Sequence, residues 1–302
     1  MLALIAPGQG SQIPGMLSTW IADPALLDLL HQWSADIDLD LVHLGTTADA
    51  DEIKNTANAQ PLIVATSLLT AHALGVTSLG VTSGHSVGEL AAAAISGAMS
   101  QRDTLKLVRA RGIEMAKAAA LSPAGMSAVL GGDRALVLAA LADLGLVAAN
   151  ENGGGQIVAA GDLTALAALG ENPPAGSRVR ALPVAGAFHT KYMQTAIAPL
   201  AELAATLKTQ NPSIPVISNK DGELIFNAQE IVVRIVNQIA NPVRWDLCMV
   251  RLKSMGVSGV IELAPAGTLV GLLKRAVPEI ESFALKSVDD LVAAREFAGR
   301  HA

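Results

Sequence analysis

A single cysteine, Cys248, stands in the whole chain. An internal disulfide framework is therefore excluded, and a reducing compartment fits. Charged residues make up only 16% and aromatics 3% of the sequence, and there is no dense Lys/Arg run. The formal net charge of -6 and pI near 5.5 offer no general attraction for nucleic acid or an anionic membrane surface. No apolar stretch reaches the roughly 20 uninterrupted residues needed to span a bilayer. Met1 to Ala6 is apolar but has no basic flank and runs at once into Pro7-Gly8, so it does not make a signal peptide. No His/Asp/Cys cluster has metal-ligand spacing, and no metal is implied. These absences describe a mildly acidic cytoplasmic protein with neither nucleic acid nor membrane as a partner.

What is present is apolar: 51% of 302 residues, enough to bury a large core in one big domain or two. The chain is organised around Gly84-His85-Ser86-Val87-Gly88-Glu89. This has the form Gly-x-Ser-x-Gly between an expected strand, Val76 to Ser83, and an Ala-rich helix from Glu89 to Ala98. It reads as a nucleophile elbow, in which close-packed glycines let a strand turn sharply into a helix. Ser86 would present its hydroxyl to solvent, and the Val87 N–H at the helix start could face a developing oxyanion. A first strand, Leu2 to Ala6, leads into Pro7-Gly8-Gln9-Gly10-Ser11-Gln12, whose glycines would let the Gln9 N–H approach a ligand.

Residues 20 to 75 read as mainly helical, with Asp23-Pro24 marking one start and Gln60-Pro61 preceding the apolar run Leu62 to Leu74. A helix from Gln101 to Ala119 carries Arg109 and Arg111. Two positions apart is about 200° around a helix, so at most one of them can face a site, and periodicity does not decide which. From Gly125 the units shorten: strand Met126 to Leu130, helix Arg134 to Leu144, strand Leu146 to Ala149, strand Gln156 to Ala160, helix Leu163 to Leu169, strand Arg178 to Val184. This is the split β-α-β-β-α-β order of ferredoxin-like units. Strand and helix alternation then resumes, with strands at Val216 to Ser218, Val260 to Leu263 and Phe283 to Leu285. The expectation is an α/β fold: a large, discontinuous α/β-hydrolase-like parallel-sheet domain over 1–120 and 186–302, with a small ferredoxin-like domain inserted at 121–185.

A serine hydroxyl needs a base, most often histidine. Six histidines are available. His85 adjoins Ser86 but leaves the elbow in another direction, His301 is terminal, and His31, His43 and His72 lack a partner motif. His189 follows the expected strand ending at Val184, where the small domain would rejoin the large one and a cleft is expected. Glu89, Asp221 and Glu262 could orient it, as could a backbone carbonyl, and no carboxylate is assigned.

Seven motifs in order carry a resemblance: Pro7-Gly8-Gln9-Gly10-Ser11-Gln12, Gly84-His85-Ser86-Val87-Gly88-Glu89, Arg111-Gly112, Gly125-Met126-Ser127-Ala128-Val129-Leu130, Gly186-Ala187-Phe188-His189, Asn241-Pro242-Val243-Arg244-Trp245 and Glu262-Leu263-Ala264-Pro265-Ala266-Gly267. Together they resemble the malonyl-CoA:acyl-carrier-protein transacylases of bacterial type II fatty-acid synthesis. The resemblance implies ping-pong transfer through a malonyl-serine, from malonyl-CoA to the phosphopantetheine thiol of acyl carrier protein, with no bound cofactor. It implies Ser86 as nucleophile, His189 as general base and acid, and the Gln9 and Val87 N–H groups as oxyanion hole. It further implies that the Gln238 carbonyl orients the histidine and that Arg111 binds the malonyl carboxylate. Phe188 before the histidine favours malonyl over methylmalonyl, although Gly186 leaves that motif incomplete, and Ala6 stands where relatives usually carry phenylalanine.

The competing readings are a serine hydrolase or thioesterase, a non-enzymatic binding module, and a transacylase serving polyketide synthesis or malonate decarboxylation. Carrier proteins of this kind are acidic, so a local basic patch of Lys274, Arg275 and Lys191 is expected. The sequence carries no oligomerisation signal, and a monomer is expected.

Overall fold

The computed structural model describes residues 1–302. Strand β1 (Leu2–Ala6) is buried along its whole length, as a strand covered on both faces must be. Its residues alternate between two cores. Leu2, Leu4 and Ala6 join the largest apolar cluster, while Ala3 and Ile5 join a second cluster on the other face.

Helix α1 (Pro24–Ile37) starts where Asp23-Pro24 predicts, with the Asp23 side chain accepting from the Ala25 N–H. Two short helices, α2 (Leu41–Thr46) and α3 (Ala50–Lys54), lead to α4 (Thr56–Leu74), which is buried over most of its length. Gln60-Pro61 does not precede this helix but lies inside it. Proline has no N–H for the carbonyl four residues back, and that carbonyl, Ala57 O, accepts instead from Arg109 Nη1 at 2.9 Å. The elbow strand β2 is also shorter than expected, Val81–Gly84, with α5 (Gly88–Ile95) directly after the turn. Helix α6 (Gln101–Ala119) has the predicted bounds and is capped by Ser100.

The next segment comprises β3 (Ala124–Gly131), α7 (Arg134–Asp143), β4 (Val147–Gly153), β5 (Gln156–Asp162), α8 (Leu163–Glu171) and β6 (Ser177–Ala181). Asp133 and Asp162 cap its two helices. The remaining elements are α9 (Ile197–Ala204), the two-residue hairpin strands β7 (Val216–Ile217) and β8 (Leu224–Ile225), α10 (Ala228–Gln238), β9 (Val243–Arg244), α11 (Trp245–Ser254), β10 (Gly259–Glu262), α12 (Thr268–Ala276), β11 (Glu281–Ala284) and α13 (Leu291–His301). No helix is long and apolar enough to cross a membrane.

Two sheets result. The first runs β11-β10-β1-β2-β7-β8 and is parallel except for the last pair. The second runs β6-β3-β5-β4-β9 and is antiparallel except where β9 joins β4. One of its faces has a small core of its own, whereas Met126, Ala149, Val158 and Ala160 on the other merge with the largest cluster. That second face turns toward the ends of β1 and β2. The chain is thus a mixed α/β fold of two sheets with a cleft between them.

Candidate active site

In the β1–β2 pair Ala6 lies opposite Gly84, so the loops that follow both strands emerge side by side. Ser86 occupies the second loop in left-handed backbone, φ 53°, strain that persists only where the surroundings enforce it. The flanking glycines show why. A Cβ on Gly84 would lie 2.1 Å from the Gly88 carbonyl carbon, and one on Gly88 2.3 Å from Ala6 O. The Ser86 N–H donates to Asn219 Oδ1 at 2.7 Å, and Asn219 Nδ2 donates back to Gly84 O at 2.8 Å.

Ser86 Oγ lies 2.7 Å from His189 Nε2. His189 also has left-handed backbone, φ 62°, and is buried. Its Nδ1 lies 2.8 Å from Gln238 O at the end of α10. A carbonyl only accepts, so Nδ1 carries the hydrogen and Nε2 offers its lone pair to the serine. Burial, with the nearby Arg111 charge, pulls the imidazole pKa down to about 3. The ring is a neutral base across the physiological range.

The structure separates the two arginines as helix geometry requires. Arg109 serves the α4 backbone, while Arg111, 1% exposed, donates from Nη1 to Gln60 Oε1 at 2.7 Å and from Nη2 to Gln238 Oε1 at 3.0 Å. Its Nη2 stands 3.5 Å from Ser86 Oγ, and its Nε has no partner. Burial lowers its pKa only to about 10, so the buried cation beside the serine stays charged. Gly112 makes this possible, since a Cβ there would sit 2.9 Å from Thr56 O and push α6 off α4.

The backbone N–H groups of Gln9 and Val87 donate to no other protein group. Both residues line the cleft with Ser86, Phe188 and His189, in a space of about 220 Å³ whose apolar wall includes Met126 and Val158 of the second sheet. None of the three candidate carboxylates reaches His189. Glu262 accepts from the N–H groups of Gly267, Leu269 and Val270 at the start of α12. Asp221 pairs with Arg234. Glu89 accepts from Asn219 N and Gln238 Nε2, each at 2.5 Å. Burial pushes its carboxyl up to about 8, against the pull of the Asn219 N–H and the Arg111 charge. His85 points away from Ser86, to Asn152 at 2.8 Å.

The residues of the expected basic patch come from two elements. Lys274 and Arg275 are exposed in the last turn of α12, whose earlier residues line the cleft, and Arg275 packs over Gly154 in the β4–β5 turn. Lys191 is exposed at the start of a separate 3-10 turn, Lys191–Ala196. Sequence reasoning missed Gln60 and Asn219. Gln60 drew notice only as the residue before Pro61, and nothing local marks Asn219, which meets the elbow 133 positions away.

The acyl transferase domain model matches residues 4–294. A malonyl CoA-acyl carrier protein transacylase from Mycobacterium bovis is 50% identical over 296 residues, covering 96% of this chain and 98% of its own. The protein of that name from Escherichia coli K12 is 31% identical over 304 residues, covering 97% and 98%. Among solved structures, MCAT from Mycobacterium tuberculosis superposes with a TM-score of 0.94 at 49% identity, over 98% of this chain and 99% of the other. With a complete serine and histidine site and matches over nearly its full length, the chain belongs to the malonyl CoA-acyl carrier protein transacylase family.

Proposed function

We propose that this protein moves the malonyl group from malonyl-CoA to the phosphopantetheine thiol of acyl carrier protein through a malonyl-Ser86 intermediate. The observation that carries this reading is the convergence on one oxygen: Ser86 Oγ has His189 Nε2 at 2.7 Å and Arg111 Nη2 at 3.5 Å. A nucleophile, its base and a buried carboxylate-binding cation share one point. As Ser86 Oγ attacks the thioester carbonyl, its proton passes to His189 Nε2, and the Gln238 carbonyl steadies the imidazolium through Nδ1. The Gln9 and Val87 N–H groups, with no protein acceptor to lose, meet the oxyanion. His189 returns the proton to the departing thiolate, and the sequence runs in reverse with the carrier thiol. Arg111 grips the free malonyl carboxylate with two charge-assisted hydrogen bonds, which acetyl cannot make. Phe188 closes the acyl pocket.

Acyl carrier protein as acceptor is supported by the names of the relatives. It is also supported by a neighbour at TM-score 0.91 and 28% identity, a malonyl-transacylase in complex with a type II polyketide acyl-carrier protein. Lys274, Arg275 and Lys191, all exposed, are the cations we assign to that acidic partner. The reading needs no resident cofactor, works with a single chain and suits the cytoplasm. In this reading residues 121–185 are an inserted ferredoxin-like unit, supported by the spatial order β6-β3-β5-β4 with antiparallel neighbours. Residues 1–120 and 186–302 form the α/β-hydrolase-like body, supported by its parallel sheet and elbow.

The test is intact-protein mass after brief mixing with malonyl-CoA, acetyl-CoA or methylmalonyl-CoA, for the native chain, Ser86→Ala and Arg111→Ala. The expected result is a malonyl adduct that requires Ser86, depends on Arg111 and disappears when carrier protein is added. An adduct that water clears as fast as carrier protein does would make the protein a hydrolase.

A further inference from the structure

Glu89 is a buried carboxylate that the transfer steps do not use. It lies in the first turn of α5, three positions after Ser86, and is 3% exposed. Two arms leave it. One oxygen accepts from the Asn219 main-chain N–H, and Asn219 in turn holds the backbone on both sides of the strained serine, at Ser86 N and Gly84 O. The other oxygen accepts from Gln238 Nε2, and Gln238 Oε1 accepts from Arg111 Nη2.

The direction of every bond in this chain is set by groups that have no choice. A guanidinium only donates, so Gln238 must turn its oxygen to Arg111 and its NH₂ to Glu89. The Asn219 main-chain N–H also only donates. The group between them must accept on both sides: an ionised carboxylate does so, the protonated form that burial favours still can through lone pairs on both of its oxygens, and an amide, whose nitrogen only donates, cannot. We propose that Glu89 is a positioning residue: through Asn219 it holds the elbow, and through the Gln238 amide it presents Arg111 to the acyl carboxylate. The proposal rests on the reading of Arg111 as the malonyl-binding group.

Glu89→Gln is nearly isosteric yet breaks this pattern. The Asn219 N–H cannot turn, so the new amide oxygen faces it and the new NH₂ faces Gln238. Gln238 must then flip, which opposes its NH₂ to the Arg111 donors. The loss falls on the arm that leads to substrate choice.

The experiment measures single-turnover loading of the native chain, Arg111→Ala, Glu89→Gln and Gln238→Leu with malonyl-CoA and with acetyl-CoA. Labelling by a fluorophosphonate gives an independent reading of Ser86 reactivity. The expected result for Glu89→Gln is a malonyl rate that falls at least about tenfold more than the acetyl rate, the scale of one lost hydrogen bond to a charged group. Gln238→Leu, which cuts the same arm from the other end and leaves the main-chain carbonyl, shifts the ratio in the same direction. If the native chain shows no Arg111-dependent malonyl preference, the underlying reading of Arg111 fails. If native and Arg111→Ala behave as expected but Glu89→Gln or Gln238→Leu keeps the native ratio, the positioning role of Glu89 is overturned. Equal losses on malonyl, acetyl and fluorophosphonate would also overturn it, because they describe a general structural residue. Should Glu89→Gln fail to fold, Gln238→Leu alone decides.

Discussion

The loops that hold Ser86 and His189 place their residues in the same left-handed backbone, φ 53° and 62°, by different means. Around Ser86 the conformation is enforced by the two glycines that flank it, Gly84 packed on Gly88 and Gly88 on the end of β1, so closely that neither tolerates a methyl group, and is then pinned by Asn219. Around His189 no close-packed glycine pair acts, and the local ties are two hydrogen bonds, Phe188 N on Gly186 O at 3.1 Å and Thr190 Oγ1 on Ala187 O at 2.6 Å. The residue is tied down by the carbonyls that end α10, with its N–H on Ile239 O at 3.0 Å and its ring on Gln238 O at 2.8 Å. Local sterics make the nucleophile, and a distant helix end makes the base. The first kind of site breaks by adding an atom nearby, the second by moving a whole element.

The largest expected effect is on the base itself. His189→Gln keeps a polar side chain in the turn but removes the proton acceptor, and malonyl loading should fall about 100- to 10,000-fold in rapid-mix mass measurements. Next comes the elbow. Gly88→Ala drives a Cβ to 2.3 Å from Ala6 O, and overpacking of this kind costs about 3 kcal/mol of stability in a thermal or denaturant melt. The accompanying shift of Ser86 should slow loading by about 100-fold, the cost of a misplacement near 1 Å.

A smaller effect separates the two loops by pH. Burial, the Arg111 charge and, to a lesser degree, His85 hold His189 at about 3 against an ordinary 6.5. The loading rate should therefore stay level from about pH 7 down to about pH 5, and a fall with a midpoint near 6.5 would contradict the buried neutral base. Stability, unlike the rate, does depend on pH in this range. Between about 3 and 6.5 the unfolded chain binds a proton at His189 that the folded chain does not, so this residue makes stability rise with pH across that window and level off above it. His189→Gln should remove that part of the slope. The smallest effect belongs to the second arginine. Arg109→Met leaves Ala57 O, already deprived of a partner by Pro61, without its hydrogen bond. The expected cost is about 1 to 2 kcal/mol in a melt, with the ratio of malonyl to acetyl loading kept.

How much could be read in advance follows from the same contrast. The strand–elbow–helix unit was legible because its constraint is steric and local, so the glycines that satisfy it must stand beside the serine. The helix start at Asp23-Pro24 was legible for the same reason. The two-residue strands β8 and β9 are too short for a period-two pattern to register, so the membership of β9 in the second sheet was invisible. That α4 begins before Pro61 was not legible, because the hydrogen bond the proline lacks is compensated from α6, outside any local window.

By itself the sequence determined the apolar bulk that demands a large core, the alternation of strands and helices, the glycines that permit the elbow, and a short choice of histidines and arginines. Its periodicity left the choice between Arg109 and Arg111 open, and only the resemblance named Arg111, because two residues on one helix differ only in which neighbours they meet. The tertiary structure decided that choice. It also set the Gln238 carbonyl, which the resemblance had named, 2.8 Å from His189 Nδ1, and it brought Gln60, Glu89, Asn219 and Gln238 into one hydrogen-bonded network around Arg111 and Ser86. Directional hydrogen bonds between side chains far apart in the chain leave no periodic or compositional trace; they exist only once the packing of α4, α5, α6 and α10 has set the distances.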